Sequence, residues 1–98
     1  MFIAVCKLQL DIHAATSIKE KRNILRSIKQ RTRGDFNISI AETDYLDTIQ
    51  QGELTAAAVS NNSRYLNGLI DKMVDSIERR FPGLIADYSL LIENYEEP

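Results

Sequence analysis

Five cations have the types and spacing for chemistry with an anion: Lys19, Arg22, Arg26, Lys29 and Arg33. At 100° per residue they occupy one sector of roughly 80° if residues 16–33 form a helix. Arg22/Arg26 and Lys29/Arg33 are like-charge i,i+4 pairs, each unfavourable by about 0.2–0.5 kcal/mol on an isolated helix. The helix has one acid, Glu20, which projects about 100° or more away from the stripe. A helix that keeps such repulsion meets acids of its own domain or partner chain, or it meets an external anion. Five cations on duplex phosphates would give log K a slope against log salt near about −4 to −5. A solvated structural face would give none.

A second set is Lys21 with Glu42, Asp44, Asp47 and Gln50. Lys21 points with Leu25 and Ile28 toward the core, where its stem can run out over a strand end to Glu42 or Asp44. An internal ion pair is the expectation; a small-molecule enzyme using Lys21 and the loop acids is the rival. Oxygens of the loop acids and Gln50 suit a hard cation, but such turn clusters are commonly solvated or cap backbone groups. No metal, cofactor or catalytic residue is assigned. Cys6 lies in an apolar run with nothing nearby to lower its pKa, and His13 stands alone.

The net charge of −2 conceals an asymmetry. Residues 1–34 carry eight Lys/Arg against two acids, while residues 35–98 carry four against twelve. A basic face therefore persists in an acidic chain. A lone cysteine fits a reducing cytosol. The apolar start lacks the basic flank and length of a secretion signal, and no run approaches a membrane span. A cytoplasmic protein without membrane contact is expected.

The elements that position these residues follow from periodicity. Residues 2–12 alternate with Phe2, Ala4, Cys6, Leu8, Leu10 and Ile12 on one side, as a strand does. The basic helix follows, capped by Thr16 or Ser17 and ended by a left-handed turn at Gly34. Strands are predicted from Phe36 to about Thr43, Leu54 to Ser60 and Leu84 to Glu93, with a polar loop over 44–52. Ala86, Tyr88, Leu90 and Ile92 share a face of the last strand. Leu66, Leu69, Ile70, Met73, Val74, Ile77 and Phe81 mark a second helix, capped by Asn62 or Ser63 and ended by Pro82-Gly83. The order βαββαβ with right-handed crossovers predicts one α+β, ferredoxin-like domain over 1–98: a four-stranded antiparallel sheet with two helices on one face. Residues 94–98 read as a frayed tail.

Ser17-Ile18-Lys19-Glu20-Lys21-Arg22, then Phe36-Asn37-Ile38-Ser39-Ile40-Ala41-Glu42-Thr43-Asp44, Gln50 and Ala58-Val59-Ser60-Asn61 resemble the YlxP-like family of small bacterial proteins of unknown function. The resemblance spans nearly the whole chain and implies a ferredoxin-like fold. Family genes often neighbour translation-factor and ribosome-maturation genes, which implies RNA or ribosome association. No reaction is established there, so no catalytic residue carries over. Ile49 stands where many members place an aromatic, a departure that bears on contacts through this loop.

Two activities of similar folds are disfavoured. Acylphosphatases need glycine and arginine in the loop after the first strand, and this one is His13-Ala14-Ala15-Thr16. Base stacking on the open sheet needs rings, whereas Ile3, Val5, Lys7, Thr55, Ala57 and Val59 face outward. That apolar content suggests a homodimer through the sheets, or cover by the C-terminal segment. The leading expectation is a non-enzymatic domain that docks on structured RNA or a ribosomal particle through the first helix. The alternative is a homodimeric structural or protein-interaction module whose stripe pairs with acids.

Overall fold

The computed structural model describes residues 1–96. Its elements run β1 (Phe2–Asp11), α1 (Ile18–Asp35), β2 (Ser39–Asp44), β3 (Gln51–Ser60), α2 (Ser63–Arg80) and β4 (Ile85–Asn94). The strands form one antiparallel sheet in the order β2-β3-β1-β4, so the fold is ferredoxin-like. The long first strand sits in the middle because both its neighbours need its full length. Leu8 lies opposite Leu54 and Tyr88, and Cys6 opposite Ala56 and Leu90.

Even-numbered residues of β1 and β3 face the helices. Ala4, Cys6, Leu8, Leu10, Leu54 and Ala56 are buried there against Leu25 and Ile28 of α1 and Leu66, Ile70, Met73 and Ile77 of α2. The alanines of β3 keep the helix layer close to the sheet. Burial pushes the Cys6 thiol up to about 11. It is a neutral core side chain, since the reactive form is the thiolate.

Several boundaries differ from expectation. Gly34 makes no left-handed turn. The helix continues through Asp35, and the Phe36 amide closes it on the Thr32 carbonyl at 2.9 Å. Phe36 packs against the core and Asp35 pairs with Arg80 at 3.2 Å, so tertiary contacts carry α1 past its glycine. β2 begins at Ser39 because the Ile38 amide bonds back to the Phe36 carbonyl, a three-residue turn that takes both out of the ladder. β3 begins earlier, at Gln51, and its pairing with Asp11 makes the loop shorter than predicted. Ala86 does not share the core face. Register shifts between Gln9 and Leu10, which lie opposite Asp87 and Ile85, so Ala86 is the extra residue of a bulge. At the far end Asn94 closes β4 and the Tyr95 amide donates to the Met1 carbonyl at 2.7 Å, while residues 97–98 of the predicted tail lie outside the described residues. Among the described residues no helix is long and apolar enough to cross a membrane.

Candidate functional site

The helix that carries the stripe starts with reciprocal capping. Ser17 Oγ accepts the Glu20 amide at 3.1 Å, and the Glu20 carboxylate accepts from the Thr16 hydroxyl at 2.7 Å and the Thr16 amide at 3.1 Å. Those bonds hold the Glu20 carboxyl below its ordinary pKa, the hydroxyl contributing most. They also turn the one acid of the first turn away from the cations.

Lys19, Arg22, Arg26 and Arg33 are exposed and Lys29 is half-buried. Among the described residues none of the five forms an ion pair with a carboxylate. Arg33 donates to the Ile40 carbonyl at 2.6 Å, which moors the end of α1 to β2. Arg26 makes one long contact, 3.5 Å to Asn23 Oδ1, at the limit of a hydrogen bond. Arg80, outside the stripe, takes Asp35. The acids of the second half therefore do not neutralise the stripe within the described chain.

Lys21 behaves differently. Its side chain is 1% exposed, and its Nζ donates to the carbonyls of Tyr45 and Thr48, the latter at 2.6 Å. Glu42 Oε2 lies 3.6 Å away, on the helix-facing side of β2 opposite Leu54. An ammonium has three donors, and here two serve backbone oxygens while a carboxylate balances the charge. All of these partners lie inside the protein, and the side chain is shut off from solvent. What it does is close the β2–β3 loop.

The rest of that loop is built on the same centre. Tyr45 has φ of 61°, a left-handed conformation costing about 1–2 kcal/mol for a residue with a Cβ. Its carbonyl accepts from both Lys21 and the Thr48 amide, which holds the turn. Gln50 ties the other end down, donating to the His13 and Ala15 carbonyls at 3.3 Å. Asp44 accepts the Tyr45 amide at 2.7 Å as a turn cap. Glu42, Asp44, Asp47 and Gln50 do not converge on one point, and no group of three or more metal-ligating side chains occurs among the described residues. His13 is exposed, 3.9 Å from Asp11.

Sequence reasoning missed Glu53. It lies on the open side of the sheet yet is 6% exposed, accepting from Thr43 Oγ1 at 2.5 Å and Gln9 Nε2 at 2.7 Å. The Thr43 bond foremost, with help from Gln9 and Lys7 and against the cost of burial, lowers its pKa. Every donor comes from a neighbouring strand, so the signal appears once the register is known.

Residues 3–90 match the family described as "Protein of unknown function (DUF503)". The chain belongs to that family. It is similar to "Uncharacterized protein YlxP" of Bacillus subtilis (strain 168), 40% identical over 60 residues, a stretch covering 61% of this chain and 65% of that protein. Among solved structures, a "putative antibiotic biosynthesis monooxygenase" from Deinococcus radiodurans aligns over 100% of this chain and 95% of its own, at 15% identity and TM-score 0.48. That likeness bears on no functional question. Family membership brings no reaction with it, so the function is argued from the residues themselves.

Proposed function

We propose that this domain works in the cytoplasm without catalysing a reaction, docking on structured RNA or a ribosomal particle through α1. Lys19, Arg22, Arg26 and Lys29 meet backbone phosphates, with Arg33 at the end of the row. Phosphate contacts of this kind position a protein without reading sequence. The observation that carries the reading is the cationic row, exposed at Lys19, Arg22, Arg26 and Arg33, with no carboxylate partner among the described residues. The engagement of Lys21 with the Tyr45 and Thr48 carbonyls and Glu42 supports it too, because it gives that lysine a structural role.

The test is titration of a structured RNA with wild type and with Arg22→Ala/Arg26→Ala. Both arginines are exposed, so the variant is expected to keep its fold. Weaker binding by the variant, with wild-type binding eroded by salt, supports the reading. Equal binding by both proteins overturns it and leaves a structural face.

A further inference from the structure

The face of the sheet away from the helices divides into two halves. One half is polar: Gln9, Asp11 and Glu53 lie there with Asp87 of β4 beside them. The other half is apolar. Ile3 is flanked by Val59 and Glu93, and Val5 by Ala57 and Leu91. Val59 is 64% exposed, Leu91 56% and Val5 37%, so no described segment of the chain covers them. Contiguous apolar surface of this kind on a sheet marks a contact with another molecule.

Charge placement selects the occupant. Lys7 lies two residues beyond Val5 along β1, and Glu93 sits beside Ile3, two residues before it. Neither forms an ion pair among the described residues. Opposite charges at equal distances on either side of a central apolar row meet the condition for a self-complementary, two-fold interface. A two-fold axis across the strands at the Val5 row brings the Lys7 row over the Ile3–Glu93 row, twice. An axis along the strands would instead set Lys7 against Lys7. About that axis residues 2–8 of β1 and their partners on β3 and β4 overlap their copies, three strands about 4.8 Å apart and seven residues at about 3.3 Å each, about 330 Å² of plane before side-chain relief. Set against the about 800 Å² per partner of a standard interface, this is a small contact, whose dimer forms in a concentration-dependent way.

We propose that the open sheet face binds a second copy of this chain about a two-fold axis at Val5, with Lys7 of each copy against Glu93 of the other. The dimer places the two α1 helices on opposite outer surfaces, so both cationic rows stay accessible. The interface and the phosphate row are separate surfaces, and either can fail without the other.

Sedimentation equilibrium over a wide concentration range tests this, with circular dichroism to confirm folding. Wild type is expected at twice the chain mass of 11.1 kDa. Leu91→Asp, at an exposed position on an edge strand, is expected to sediment as a monomer. Glu93→Lys opposes like charges and is expected to raise the dimer Kd about tenfold, and Glu93→Lys/Lys7→Glu to restore it. A wild type that stays monomeric overturns the proposal, as does a Leu91→Asp dimer of unchanged affinity. Dissociation by Leu91→Asp with no response to Glu93→Lys overturns the stated arrangement.

Discussion

The ammonium of Lys21 lies 2.6 Å from the carbonyl oxygen of Thr48, in a side chain shut off from solvent. A cation in the first turns of a helix is thereby the internal strut of a loop between two strands. Removing it leaves the Tyr45 and Thr48 carbonyls and Glu42 without their partner. Loss of one member of a buried charged set costs about 3–5 kcal/mol. Lys21→Met is therefore expected to lower unfolding free energy by about that amount in urea titrations. Amide exchange over residues 45–50 should accelerate in the same variant.

Gly52 sits beneath the same strut. A Cβ there would come 3.2 Å from Ile12 Cδ1 and 3.6 Å from Lys21 Cε. Ile12 is fully buried and has little room to yield. Gly52→Ala is expected to destabilise by about 1–3 kcal/mol through overpacking, read as a shifted denaturation midpoint.

Much of this fold was legible because it rests on periodicity. The alternation of β1 and the 3–4 spacing of α2 each name a buried face, and those faces pair in one way. Boundaries were harder. Phe36 and Ile38 alternate as strand residues do, yet they turn, because their rings and methyls fill the core beside α1. The bulge at Ala86 depends on where β4 meets β1, a relation between distant segments. Of the site, the cationic row could be read directly, since helical spacing alone fixes its face. The Lys21–Glu42 pair was within reach of the same logic. The Tyr45 and Thr48 carbonyls were not, because residue type says nothing of where a loop turns its backbone oxygens.

The Ser17 cap governs the start of the cationic helix. Its hydroxyl satisfies the Glu20 amide. Ser17→Ala is expected to cost about 1 kcal/mol, measured by thermal melting. RNA affinity should fall little, since Arg22, Arg26, Lys29 and Arg33 lie beyond the first turn and only Lys19 of the row sits within it.

Glu53 supplies a pH signature. Its pKa is lowered in the folded protein, so its ionised form favours folding above the ordinary carboxylate range. That contribution disappears as pH falls through its folded pKa, which lies below the unmodified value of 4.5. Wild type should lose stability across this acid window more steeply than Glu53→Gln. Parallel acid limbs for the two proteins would contradict the assignment.

The central proposal is that the cationic row on α1 meets phosphates. Binding of a structured RNA measured at a series of salt concentrations, for wild type and Arg22→Ala/Arg26→Ala, tests that claim most directly. Each phosphate contact contributes about −0.9 to the slope of log K against log salt on a duplex. A wild-type slope of about −4 and a variant slope shallower by about 2 are expected. Equal slopes for the two proteins, or a wild-type slope near zero, would contradict it.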